Sequence, residues 1–147
     1  LNSMAPSIEA DLNKLDKSQL VGLVIHFKEE VEVDDALKEE IIKEVSSVPK
    51  EVLEGYGNVP LDNPVFYHGA GCGKCGHSGE KGRTAINEVI ENNRSFKKVI
   101  NGGMKQAEVD AALTEQKFVS LKQDGLLKVL LGITTHEQVL AVTKEDV

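Results

Sequence analysis

The spacing of hydrophobic positions changes along the chain, and the changes mark its elements. Ile8, Leu12 and Leu15 stand at near-helical intervals within a polar stretch reaching Ser18, which predicts a short amphipathic helix. Residues 20–27 form the longest apolar run, broken by Gly22 and His26, and read as a buried strand or a buried helix end. Residues 28–35 are acidic and predicted to be solvated. Leu37, Ile41 and Val45 recur every fourth position, so residues 36–45 read as a helix. Asp34 stands where its carboxylate can cap the first turn. Residues 47–53 read as a second short helix with Pro49 in its first turn. Gly55, Gly57, Asn58, Pro60 and Pro64 then punctuate a loop.

Residues 65–67 read as a short strand leading into a glycine-rich segment, 69–82. Ala85, Ile86, Asn87, Glu88 and Val89 alternate in character, so residues 83–90 read as another strand. From Asn92 onward the pattern is helical. Phe96, Val99 and Ile100 share a face ahead of the Gly102-Gly103 stop, and Val109, Ala112 and Leu113 mark the next helix. Ser120 and Gln123 have capping-box spacing before Leu127, Leu130 and Leu131, and that helix ends at Gly132. Thr135 and Gln138 repeat the spacing before Val139 and Leu140. The expected fold is α+β and mainly helical: a small β element with a glycine-rich CxxC knuckle, then a compact C-terminal subdomain of four helices. Three parts are expected: a linker or helix over 1–23, a degenerate zinc-knuckle-like subdomain over 24–91, and the helical subdomain over 92–147.

Composition narrows the class. The chain has 147 residues, 40% hydrophobic and 28% charged, as in a soluble globular domain. Aromatics are 4% and Trp is absent, so the core must come from Leu, Ile, Val and Ala. Seventeen basic against 24 acidic residues give a formal charge of -7, the wrong sign for a uniform nucleic-acid-binding surface. No apolar run approaches a membrane span, which argues against direct insertion. The first residue is Leu1, and a piece of a longer protein or residual expression residues are expected. Two cysteines, three positions apart, do not make a secreted disulfide framework, so a reducing cytoplasmic setting is expected.

The densest chemistry lies in Gly71-Cys72-Gly73-Lys74-Cys75-Gly76. Two thiolates at this spacing can hold half of a tetrahedral zinc site, and glycines let the backbone curl around the sulfurs. Further ligands would have to be histidines, with His26, His68 and His77 the candidates by type. The competing reading is a tight turn carrying two thiols. A thioredoxin-like redox role is weaker, because more glycine follows where a helix should open. The same residues match G-x-G-x-x-G, but no helix follows the third glycine, which rejects dinucleotide binding. The chain has no G-x-x-x-x-G-K-[ST], so nucleotide hydrolysis by this chain alone is not expected. It also lacks G-x-S-x-G and H-E-x-x-H, and no residue is assigned a catalytic role. Arg83 could grip a carboxylate or phosphate, although an ordinary surface ion pair is the simpler reading. Leu126, Leu127, Val129, Leu130, Leu131 and Ile133 exceed one narrow helical stripe, so this surface serves either a partner domain or the chain's own core.

Two longer stretches carry a family likeness. The first is Gly71-Cys72-x-x-Cys75 followed by Gly79-x-Lys81-Gly82-Arg83-Thr84-Ala85-Ile86-x-Glu88-Val89. The second runs from Ser120-Leu121-Lys122-Gln123-Asp124-Gly125-Leu126-Leu127-Lys128-Val129-Leu130 through Gly132-Ile133-Thr134-Thr135 to Val142-Thr143. Together they resemble the C-terminal domain of the type II secretion and type IV pilus assembly (extension) ATPases, strongly over the second half of the chain. The resemblance implies a non-catalytic domain packed on an ATPase core, with ATP and Mg bound only in the full-length protein. It implies neighbouring subunits of a homohexamer and an inner-membrane platform protein as partners, and a cytoplasmic location at the inner-membrane face. In that family a first C-P-x-C pair completes a four-cysteine zinc site. The matching residues here are Val24-Ile25-His26-Phe27, with both cysteine positions apolar. Packing of Val24 and Phe27 would then stand in for part of the metal cluster, leaving Cys72 and Cys75 with His26 and His77 as candidate ligands. Two other readings remain: a stand-alone zinc-ribbon-like adaptor that binds a protein partner, and a thiol-redox CxxC protein.

Overall fold

The computed structural model describes residues 14–25, as backbone, and residues 28–144. Strand β1 (Lys14–Ile25) pairs antiparallel with β4 (Glu80–Glu91), in a register that sets Lys14 opposite Glu91 and Ile25 opposite Glu80. Strand β2 (Lys28–Val31) pairs antiparallel with β3 (Phe66–Gly69) in a separate two-stranded sheet. Helices α1 (Asp35–Ser46) and α2 (Lys50–Gly55) lie between β2 and β3 in the chain. Helices α3 (Arg94–Asn101), α4 (Gln106–Glu115), α5 (Leu121–Leu130) and α6 (His136–Thr143) follow β4.

Local signals account for the helix ends. The Asp34 carboxylate accepts the Leu37 amide at 2.9 Å, and Asn93 does the same for Phe96 at 2.9 Å. Ser120 and Gln123 form a full capping box, with bonds of 3.1 and 3.0 Å. Thr135 accepts the Gln138 amide at 3.3 Å. Gly102 closes α3 as expected.

Two expectations are corrected, and a third, the solvation of residues 28–31, holds with an addition. Leu15 lies in β1 and not in an amphipathic helix, because the stretch from Lys14 gains a twelve-residue partner in β4; Ile8 and Leu12 lie outside the described residues. Residues 28–31 are solvated but extended, since they pair with β3. Ile100 is 43% exposed and does not join Phe96 and Val99 in the core.

The four predicted C-terminal helices are all present, but they do not make one bundle. Phe96 and Val99 of α3 and Ala112 of α4 form a small cluster against Ile90 of β4. The main core joins Ile41 and Val45 of α1 and Phe66 of β3 to Leu126, Leu127, Val129 and Leu130 of α5 and Val139 of α6. That core therefore links residues on both sides of Asn92. It also answers where the surplus apolar surface of α5 goes. Leu126, Leu127, Val129 and Leu130 are each at most 2% exposed inside this chain, as expected of a helix that is apolar on most sides. Gly125 lets α6 approach: a Cβ there would stand 2.6 Å from Val139 Cγ1. No helix among the described residues is long and apolar enough to cross a membrane.

Candidate functional site

The cysteine turn is closed at its neck by two glycines. A Cβ at Gly69 would fall 1.6 Å from the Gly79 carbonyl oxygen, and one at Gly79 would fall 2.4 Å from that of Gly69. Gly79 also has φ +78°, a conformation side chains resist. Only glycine at both positions lets β3 and the start of β4 pinch together this tightly. Within the loop, Gly73–Cys75 makes one 3-10 turn. The Cys72 amide donates to Cys75 Sγ at 3.1 Å, Cys75 Sγ donates to the Cys72 carbonyl at 3.2 Å, and the two sulfurs stand 3.6 Å apart. The His77 amide donates to the Cys72 carbonyl at 2.8 Å, and Ser78 bridges the Cys75 and Glu80 carbonyls.

The two thiols thus converge as one edge of a metal tetrahedron requires, but the donor set does not close. Among the described residues no group of three or more His, Cys, Asp and Glu side chains is placed to hold a metal ion. His77 lies in the same turn with φ 63° and is exposed. His68 instead meets Glu29 across the β2–β3 pair at 3.6 Å. His26 lies outside the described residues. The donors among the described residues do not complete a zinc site. Arg83 is exposed on β4 opposite Gly22.

Sequence reasoning missed a buried carboxylate that accepts three hydrogen bonds. Asp124 of α5 is 4% exposed. It accepts from Lys128 Nζ at 2.7 Å, the Asn87 amide at 2.7 Å and the Tyr56 hydroxyl at 2.5 Å. Lys128 also donates to the Ala85 carbonyl at 2.6 Å. One carboxylate thereby ties α5 to β4 and to the end of α2. Burial, then the Asp124 hydrogen bond and charge, push the Tyr56 phenol well above its ordinary range. The i,i+4 spacing of Asp124 and Lys128 amid leucines was the signal available in sequence. Two further side chains fasten the same helix. Glu88 accepts the Leu121 amide at 2.9 Å, and Gln123 donates to Ser47 at 2.8 Å and to the Glu44 carbonyl at 3.2 Å.

Glu80, at the start of β4, accepts from Gln138 of α6 at 2.9 Å; burial raises its carboxyl above the ordinary range, against the lowering effect of that bond. Close to α6 lies a groove of about 340 Å³. Val31, Leu37, Phe66, Glu32, Asp34 and Glu137 are among the residues that line it. His136 also lines it, and burial lowers that imidazole below its ordinary range.

The chain is thus an α+β domain in which a tight cysteine turn joins β3 to β4 and a capped, buried α5 packs against α6. The family described as Type II/IV secretion system protein matches residues 9–141, and the chain belongs to that family. It is 41% identical over 82 residues to a type II secretion system protein E of Dickeya dadantii, a match covering 56% of this chain. It is 36% identical over 91 residues to the type IV pilus assembly ATPase PilB of Thermus thermophilus, covering 62% of this chain. It is 33% identical over 105 residues to the PilB of Pseudomonas aeruginosa, covering 70% of this chain. The chain spans only 16%, 10% and 18% of the lengths of these three relatives.

Proposed function

We propose that this chain is the non-catalytic C-terminal domain of a hexameric ATPase that powers type IV pilus assembly or type II protein secretion. The observation that carries this reading is a family match over nearly the whole chain combined with a small share of relatives named as ATPases. The absence of a phosphate-cradling G-x-x-x-x-G-K-[ST] from the sequence agrees with it. In this reading ATP and Mg bind to the ATPase core of the complete protein, and this domain packs on that core. Neighbouring subunits and an inner-membrane platform protein are its partners, at the cytoplasmic face of that membrane. The division into 1–23, 24–91 and 92–147 describes its sequence organisation, while packing joins the last two parts into one body.

Cys72 and Cys75 enter as the remaining half of the family's knuckle, held in shape by the glycine neck and main-chain hydrogen bonds. Zinc analysis of protein prepared without added metal should give no stoichiometric signal, and chelator should leave the melting temperature unchanged. The functional reading is tested by phosphate release. The purified chain should hydrolyse no ATP above buffer, while the complete protein should hydrolyse it and lose its secretion or pilus output when Leu127 is replaced by Asp. Appreciable hydrolysis by the chain alone would overturn the non-catalytic assignment.

A further inference from the structure

Cys72 and Cys75 have no chemical task of their own in the proposed function. Their turn is presented to solvent: Gly73, Lys74, Gly76, His77 and Ser78 are exposed, and the two cysteines are half-buried. The two Sγ atoms stand 3.6 Å apart. A disulfide holds its sulfurs about 2.05 Å apart, so joining this pair needs a closure of about 1.5 Å. Rotation of a cysteine side chain between staggered positions moves its sulfur farther than that.

The turn is built so that the sulfurs can meet without unfolding it. Its two ends are fixed where Gly69 and Gly79 pinch together, which keeps the cysteines close. Its middle can yield, because a Cβ at Gly73 or Gly76 would meet nothing within 4 Å. Main-chain groups hold each cysteine against the other. The Cys72 amide donates to Cys75 Sγ at 3.1 Å, and Cys75 Sγ donates to the Cys72 carbonyl at 3.2 Å. That carbonyl also accepts the Cys75 amide at 3.2 Å and the His77 amide at 2.8 Å. Among these four bonds, just the donation from Cys75 Sγ needs a thiol proton. Joining the sulfurs therefore removes one weak S–H bond and leaves the two amide bonds to the carbonyl available.

We infer that Cys72 and Cys75 are a redox modification site, closing reversibly into a disulfide with a low-molecular-weight disulfide as the oxidant. The thiolate of one cysteine attacks a sulfur of the oxidant RSSR and expels RS⁻, leaving a mixed disulfide. The second thiolate attacks the chain's own sulfur in that mixed disulfide and expels the other RS⁻. The two cysteines lose two electrons and two protons, and RSSR leaves as two RSH. Excess RSH runs the same steps backward. No helix opens after Cys75, so the pair receives oxidation and does not dispense it as a thioredoxin-like catalyst would. This chemistry is independent of ATP hydrolysis and of the proposed partners, so it can fail while the proposed function stands.

The test equilibrates the full chain, prepared without added metal, in mixtures of oxidised and reduced glutathione. Samples are quenched in acid, alkylated and weighed by mass spectrometry. The folded chain should reach an internal disulfide, two hydrogens lighter and carrying no glutathione, and excess reduced glutathione should return both thiols. Its ratio of disulfide to dithiol should exceed that of the chain unfolded in urea by about threefold or more in the same buffer, because the folded turn already holds the sulfurs together. Cys72→Ser and Cys75→Ser each keep one thiol and should stop at the mixed disulfide with glutathione. Circular dichroism checks that both variants fold; if one does not, the comparison of folded and unfolded unaltered chain decides by itself. A folded chain that keeps both thiols in oxidised glutathione, that carries glutathione in place of the internal bond, or that oxidises no further than the unfolded chain would each overturn the proposal.

Discussion

Replacing Asp124 by Ala removes the acceptor of three hydrogen bonds in one step. Lys128 Nζ, 13% exposed at the side chain, keeps only the Ala85 carbonyl at 2.6 Å and loses its counter-charge at 2.7 Å. The Tyr56 hydroxyl and the Asn87 amide lose their bonds to the carboxylate. Breaking a buried ion pair from one side costs about 3–5 kcal/mol, because the surviving charge stays desolvated. Hydrogen bonds to a charged acceptor contribute about 1.5–3 kcal/mol each, and these overlap with the pair and do not add to it. The expected destabilisation is therefore about 3–5 kcal/mol, a large share of the roughly 5–15 kcal/mol that holds a domain folded. The assay is urea unfolding followed by far-ultraviolet circular dichroism, since the chain has no Trp to report by fluorescence. A Lys128→Met partner completes a cycle. Asp124→Ala/Lys128→Met should cost clearly less than the sum of its single changes, because the double variant buries no lone charge. A cost below about 1 kcal/mol for Asp124→Ala, or strict additivity in the cycle, would refute the account of this carboxylate as the fastening of α5.

Gly125→Ala gains helix propensity of about 1 kcal/mol but drives a methyl into buried, stiff Val139, so a net loss of about 1–2 kcal/mol should appear in the same unfolding assay. Gly69→Ala should open the neck of the cysteine turn, read as faster amide exchange across residues 72–80 and a lower melting temperature. Tyr56 has a raised phenol pKa, so the folded chain holds that proton after the unfolded chain releases it; stability should fall as pH rises above about 10, and Tyr56→Phe should blunt the fall. His136 is shifted the other way by burial, so the unfolded chain takes up a proton first on acidification; stability should drop as pH falls below about 6.5, and His136→Gln should reduce that drop.

Much of this protein was legible one residue at a time. Helix ends are decided by groups three positions apart, so Asp34, Ser120 with Gln123, and Thr135 with Gln138 could be read directly and stand where expected. The family likeness was equally local, carried by the glycine-rich turn and the α5 signature, and the family match bears it out. Long-range partners were not legible. Leu15 continues the helical spacing of Ile8 and Leu12, yet strand β4 recruits it, because pairing along the length of β1 outweighs weak local preference. Nothing in the order of residues placed Asp124 against Tyr56 and Asn87, 68 and 37 positions away. Ile100 followed the apolar rhythm of α3, yet it stands 43% exposed. The order of apolar and polar residues along the chain thus determined where helices begin and end and what family they belong to. Which faces are covered, which charges are buried and how the cysteine turn is pinched shut were decided only when distant segments met, since desolvation and close packing belong to contacts and not to single residues.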